Sequence, residues 1–260
     1  MHVVVTGASR GIGACLAEKF AAEGSHVSLV ARSAEAITEL ARRIDGTAVA
    51  VDLADSGARR GLIERLEREA GRPVDVLVNN AGVDMAGYFP EMSEDDLARV
   101  FDVNLGAAAE LCRQALPGMI GRGRGHIVNV SSLAGVGALP GMAAYAATKA
   151  GLTQFTAGLR ADLRGLPIGT TLVEVGFVSV TEMTERALAY PPMGRAWSRL
   201  KRLGAMADTD LERLCGGVVA GVRAGKRHVR YPIRARGLAA LGESTRKMTE
   251  MLLTGVAPRE

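Results

Sequence analysis

Thr6-Gly7-Ala8-Ser9-Arg10-Gly11-Ile12-Gly13 follows the Val-rich run 3–6 and opens a segment of helical spacing over 11–22. Its glycines stand at 7, 11 and 13, a GxxxGxG pattern. Between a buried strand and a helix, such a turn lets the backbone double back tightly, approach an anion closely and bring helix against strand. The N–H groups and dipole of the helix that opens there favour phosphate. Glycine spacing alone also suits an ordinary strand-to-helix connection. Its place after the first Val-rich strand favours a dinucleotide site, although the pattern differs from the commoner GxGxxG.

Outward from this turn, apolar runs alternate with helical segments. Runs 3–6, 27–31, 48–52, 74–79, 126–131 and 170–175 read as buried strands, and 11–22, 34–44, 58–70, 94–122 and 143–164 as helices. This alternation predicts a Rossmann-type α/β fold, a doubly wound parallel sheet with helices on both faces. Asn104-Leu105-Gly106 interrupts the pattern of 94–122, which reads as one long helix or two in succession. No repeat or linker divides residues 1–260, so we expect one domain. The stretch 177–210, with Pro191-Pro192, reads as a helical lid. A helix over 208–224, a short strand over 229–231 and an amphipathic helix over 234–253 complete the expectation.

With 48% hydrophobic and 23% charged residues, the composition argues for a packed globular chain over a disordered one. Aromatics make up only 4%, so the core must be mainly aliphatic. The net charge of +4 is interspersed, and its two denser basic stretches, 195–202 and 226–236, lack the interleaved aromatics of a nucleic-acid site. Cys15, Cys112 and Cys215 are far apart and suit buried thiols in a reducing compartment. His2, His26, His126 and His228 have no metal-ligand spacing, and we expect no metal site. There is no leader-like N-terminus and no spanning apolar stretch, so a cytoplasmic location is expected.

Further landmarks occur in order: Asp52 after the third run, Asn79-Asn80-Ala81-Gly82 after the fourth, and Asn104 within a helix. Ile127-Val128-Asn129-Val130-Ser131-Ser132 form the fifth run, and Tyr145 with Lys149 follow. Together with TGASRGIG they make the chain resemble the short-chain dehydrogenase/reductase family, in its single-domain branch, over nearly the whole length. The resemblance implies an NAD(P)-dependent oxidoreductase acting on a carbonyl or alcohol, with hydride transfer to the B face of the nicotinamide. It implies a catalytic set of Asn104, Ser132, Tyr145 and Lys149.

Tyr145 and Lys149, four apart in a helical segment, project from one face. A phenol titrates near ~10, and a nearby ammonium is expected to draw that value down toward the working range. Ser131 and Ser132 compete for the substrate oxygen. The family spacing selects Ser132, and alternation sends Ser131 to the opposite face as a structural residue. In the family, Lys149 also holds the nicotinamide ribose and Asn104 holds a water linking Lys149 to solvent. The bland alternative for Asn104 is a helix kink satisfied by its amide.

Cofactor contacts are expected from Gly7, Ser9, Arg10, Gly11, Ile12 and Gly13. Further contacts are expected from Arg32, Asp52, Leu53, Asn80, Ala81, Gly82, Tyr145, Lys149, Gly176 and Val178. Arg32, where an acidic residue would select NAD, offers a fork for a 2′-phosphate, with Arg10 a second cation on the same side. NADP(H) is therefore expected over NAD(H). Asp52 resembles the family's adenine contact and also suits an N-cap. Asn79 reads as structural. After the sixth run the usual Pro-Gly is Val175-Gly176, and either Ser179 or Thr181 could supply the hydroxyl that meets the carboxamide.

Segments 83–92, 133–142 and 177–206 should wall the substrate pocket. Leu133, Leu139, Met142, Phe177, Met183 and Met193 would make it apolar, for a medium or bulky ketone or secondary alcohol. The small-residue faces of 105–116 and 146–161 suit a homodimer or homotetramer. For the basic 226–253 segment, a docking helix at an oligomer interface is preferred over membrane-surface attachment. The rival functions are a non-catalytic dinucleotide sensor and another reaction on the same scaffold. The retained Tyr145 and Lys149 argue against the first, and the short length after the sixth run argues against the second.

Overall fold

The strands are short aliphatic runs buried on both faces, which is the pattern a parallel sheet covered by helices requires. In the computed structural model, which describes residues 1–204 and 207–232 together with Leu252, all five residues of β1 (His2–Thr6) are buried. Beside it lie β2 (His26–Ala31), β3 (Thr47–Ala50), β4 (Val76–Asn79), β5 (Gly125–Ser132), β6 (Ile168–Val175) and β7 (His228–Tyr231). They form one parallel sheet in the order β3-β2-β1-β4-β5-β6-β7. The order reverses between β1 and β4, and ligands of such sheets bind in the crevice at that switch point, outside the carboxyl ends of the strands.

Helices α1 (Gly11–Ala22) and α2 (Ala34–Ile44) cover one face, joined by α10 (Leu211–Arg223), with Leu16, Phe20, Ile37, Leu214 and Val218 in a common core. The other face is covered by α4 (Leu62–Ala70), α6 (Ala107–Gly121) and α7 (Ala143–Asp162), through Leu62, Leu66, Leu111, Met119 and Phe155. A smaller cluster joins Leu139, Met142 and Tyr145 to α8 (Glu182–Ala189) and α9 (Pro191–Arg202) of the lid region. The two prolines start α9, where a missing N–H costs no helical hydrogen bond.

Several expectations are corrected in detail. The helix expected over 58–70 is broken by Gly61, whose φ of +64° separates α3 (Ser56–Arg59) from α4. Asp55, accepting from the N–H groups of Gly57 (2.7 Å) and Ala58 (3.2 Å), caps α3, so Asp52 is not its N-cap. The segment 94–122 is α5 (Glu94–Phe101) and α6 joined through a π-helical turn over Asp102–Gly106. The buried Arg59 guanidinium donates to the carbonyls of Leu53 (2.6 Å) and Asp102 (3.2 Å), bracing this wider turn. Met206 and, apart from Leu252, the amphipathic stretch 234–253 lie outside the described residues. Among those residues, no helix is long and apolar enough to cross a membrane.

Candidate active site

The glycine turn is shaped by contacts that leave no room for side chains. Gly7 adopts φ +66°, and a Cβ there would lie 2.8 Å from Ala81 Cα. A Cβ on Gly13 would collide with the Gly7 carbonyl oxygen. Thr6 Oγ1 accepts from the N–H groups of Asn80 and Ala81, both at 3.0 Å, and the Asn80 amide donates back to the Thr6 carbonyl at 2.9 Å. The end of β1 is thereby locked to the end of β4. The first turn of α1 has neither a side-chain cap nor an acidic residue, so its N–H groups suit an anion.

One cavity of about 870 Å³ runs from this turn across the carboxyl edge of the sheet to the lid. All the residues expected to hold cofactor line it, as do Ser132, Tyr145 and Lys149. Asn104 stands behind its wall. At one end Arg32 is exposed just after β2, near enough to help depress the Asp52 carboxyl. Asp52 is held by the Ala54 N–H (3.0 Å) and by Arg99 (3.0 Å). Arg10 is ion-paired with Glu182 at the start of α8, tying the glycine turn to the lid. That pairing engages a charge that the sequence reading assigned to phosphate.

At the other end, Tyr145 and Lys149 lie one turn apart on α7, both buried. Lys149 Nζ donates to the Val130 carbonyl at 2.9 Å and stands 5.7 Å from the centroid of the Tyr145 ring. Burial pushes the phenol up to about 12, against a downward pull from the neighbouring Ser132 hydroxyl, and pushes Lys149 down to about 8. In the chain without cofactor, burial thus dominates the phenol, and the lowering expected from the ammonium is not seen. Ser132 Oγ accepts from Ala134 N–H (3.1 Å) and donates to the Val175 carbonyl (3.2 Å). Ser131 instead bonds the Lys149 carbonyl (2.8 Å) and Thr153 (2.9 Å), a structural role in attaching β5 to α7.

The Asn104 amide clasps the backbone of Val83, accepting from its N–H at 2.8 Å and donating to its carbonyl at 2.9 Å, and also donates to Thr148 at 3.1 Å. Asn104 is thus a positioning residue between the loop after β4 and the helix of Tyr145 and Lys149. A Cβ on Gly82 would lie in ordinary contact with the chain, 3.4 Å from Asn104 Oδ1 and 3.5 Å from Lys149 Nζ, so packing within the chain does not itself demand glycine there. Asn79 donates to Asn129 (2.9 Å), which donates to Thr156 (2.9 Å), a buried ladder through β4, β5 and α7. Beyond β6, Gly176 is required because a Cβ would meet Pro232 Cδ at 2.9 Å. Of the two candidate hydroxyls, Thr181 lines the cavity and caps α8, whereas Ser179 is exposed and outside the lining.

The family model for short chain dehydrogenases matches residues 1–190. The chain belongs to the short-chain dehydrogenase family. The chain is 37% identical over 187 residues to the ketoacyl reductase HetN of Nostoc sp., covering 70% of this chain and 65% of that protein. The chain thus spans just under two thirds of that curated relative. Among solved structures, a short-chain dehydrogenase from Sphingobium yanoikuyae in complex with NADPH superposes with a TM-score of 0.79 at 27% identity, covering 96% of this chain and 95% of the other. A relative from Burkholderia phymatum in complex with NAD gives 0.78 at 25% identity, covering 100% and 96%.

The residues present fit a dinucleotide: an uncapped helix start, a glycine cradle that a Cβ would fill, and a cavity of suitable volume. The apolar wall is built by Leu133, Leu139, Met142, Phe177 and Met183, while Met193 turns away into the lid core. Of the segment 83–92, Val83 and Asp84 line the cavity. Asp84 is the residue the sequence reading missed. It is buried, both carboxylate oxygens lack a hydrogen-bond partner among the described residues, and burial raises its pKa.

Proposed function

We propose that this short-chain dehydrogenase transfers a hydride between NADP(H) and the carbonyl or secondary alcohol of a mainly hydrophobic substrate, with Tyr145 as general acid/base. The observation that carries this reading is the convergence of Tyr145, Ser132 and Lys149 on the cavity that begins at the glycine turn. The pyrophosphate would be held by the turn 7–13 and the open start of α1, the adenosine by Asp52 and Leu53, and the 2′-phosphate by Arg32. Gly82, Gly176 and Val178 would flank the nicotinamide, whose bound reduced form supplies the hydride. The single reading of residues 1–260 as one domain with a lid rests on the one sheet and on the packing of α8 and α9 beside Tyr145.

In the reducing direction, Ser132 turns its one hydroxyl hydrogen from the Val175 carbonyl to the substrate oxygen and fixes the carbonyl. Tyr145, kept protonated by burial, gives its proton to that oxygen as negative charge develops there. The phenolate that remains is stabilised by the Lys149 ammonium, which the Val130 carbonyl holds in place. Lys149 would also hold the nicotinamide ribose. In the oxidising direction the same groups act in reverse. The apolar wall shields the reacting carbon from water.

NADPH and NADH consumption against a panel of ketones and aldehydes tests the proposal, with Tyr145→Phe as control. Turnover that prefers NADPH and is lost in the variant supports it; cofactor binding without turnover on any substrate overturns it. A homodimer or homotetramer through the outer faces of α5 to α7 is part of this reading, supported by the exposed Phe101, and sedimentation that returns a monomer removes it. A cytoplasmic location is favoured by three buried free thiols.

A further inference from the structure

Deeper in the cavity, the wall carries a charge that the redox reaction does not use. Asp84 is 6% exposed, and neither of its carboxylate oxygens has a hydrogen-bond partner among the described residues. A buried carboxylate left without partners opposes folding, and such groups are retained where a ligand satisfies them. Its backbone is well anchored, because the preceding Val83 is clasped in both directions by Asn104. Asp84 lines the same cavity as Tyr145, and its charge is felt at the phenol. The cationic side chain it feels most, Arg186 of α8, is ion-paired with Glu182 at 3.6 Å and is 56% exposed.

We propose that Asp84 determines specificity by accepting a hydrogen bond from a hydroxyl or ammonium group that the substrate carries next to its reacting carbonyl. The inference rests on the reading of the chain as a carbonyl-reducing enzyme and narrows its substrate class. The substrate has a hydrophobic body, a carbonyl facing Tyr145 and Ser132, and a donor within reach of Asp84. That donor restores the hydrogen bonds the carboxylate lost on burial. A hydroxyl and an ammonium share this chemistry and differ in charge, and a change of Asp84 to its amide separates them.

The experiment is steady-state kinetics of the full chain with NADPH on an aryl alkyl ketone, its α-hydroxy analogue and its α-amino analogue. The wild type is expected to favour one donor-bearing analogue over the parent by about tenfold or more in kcat/KM. Asp84→Leu should abolish that preference through KM and raise Tm by relieving an unpaired carboxylate. Asp84→Asn should keep part of a preference for the hydroxyl, which an amide oxygen still accepts, and lose a preference for the ammonium. Arg186→Gln should leave the preference intact.

Turnover of the parent with no preference for either analogue overturns the inference and leaves the oxidoreductase reading standing. An equal loss on all three substrates in Asp84→Leu, reproduced by Arg186→Gln, also overturns it and makes Asp84 a latch for the lid. Absence of turnover on every ketone overturns the redox reading itself, and the inference falls with it.

Discussion

Lys149 donates to the Val130 carbonyl at 2.9 Å, so the cation beside Tyr145 is fixed to strand β5 rather than free to follow the phenol. The two side chains share a buried wall in which desolvation moves each away from its charged form. Tyr145 is consequently held in its protonated form. Replacing Tyr145 by Phe removes the donor without changing the packing of α7. We expect kcat to fall by roughly 10²–10⁴, with NADPH affinity, read by fluorescence quenching, changed little.

Arg32 is exposed at the end of β2 beside the half-exposed carboxylate of Asp52. Arg32→Glu places an acceptor where the ribose hydroxyls of NAD would lie and repels a 2′-phosphate. The KM for NADPH should rise about tenfold or more, with that for NADH unchanged or lower. Equal KM changes for both cofactors would remove Arg32 from the phosphate site.

The close approach of Gly13 to the Gly7 carbonyl makes a sharper steric prediction. Gly13→Ala must push α1 away from the turn. Dinucleotide binding should be lost to titration calorimetry, and the thermal midpoint should fall, because the displaced helix also carries Leu16 and Phe20 of the main core. A variant that binds NADPH like the wild type would contradict the geometry of the turn.

His126 begins β5, with Nε2 2.8 Å from Thr171 Oγ1, and burial lowers its pKa from 6.5 to about 4. Between those two values the unfolded chain binds a proton that the folded chain refuses. Stability should therefore fall as the pH drops from 6.5 toward 4, by up to roughly 3 kcal/mol from this group. Urea unfolding at several pH values should show a shallower fall over that interval in His126→Gln.

Asn79 is buried and donates to Asn129. Asn79→Ala leaves the Asn129 oxygen short of a donor and should cost about 1–3 kcal/mol in denaturant unfolding. Its effect on KM for cofactor should be small compared with that of Gly13→Ala.

The fold was readable because the central strands β1, β2 and β4 to β6 are aliphatic runs largely buried on both faces, and because 7, 11 and 13 had to be glycine for one turn. Tyr145, Lys149 and Ser132 stood out through the resemblance to the family's pattern, and the structure brings all three to one cavity. Asp84 was legible only as part of the segment 83–92 expected to wall the pocket and not as a buried, unpartnered charge, because the charges of α8 that act on it come some hundred residues later in sequence. The pairing of Arg10 with Glu182 was hidden for the same reason. Asn104-Leu105-Gly106 signalled an interruption but not its kind, since the π-helical turn depends on the distant Arg59 and Val83. Met193 looked like pocket wall because helical periodicity cannot say which of two cores a methionine enters.

The packing of α1 against α10 has a consequence for biosynthesis. Leu16 and Phe20 share their core with Leu214 and Val218, while Thr6 and Gly7 are braced by Asn80 and Ala81. During translation, the glycine turn thus has no brace until β4 has emerged from the ribosome. The apolar side of α1 has no complete cover until Leu211–Arg223 has followed. Of the described helices, α1 is made before the others and is among the last to be sheltered, which leaves its apolar face open to wrong partners while the rest of the fold is made.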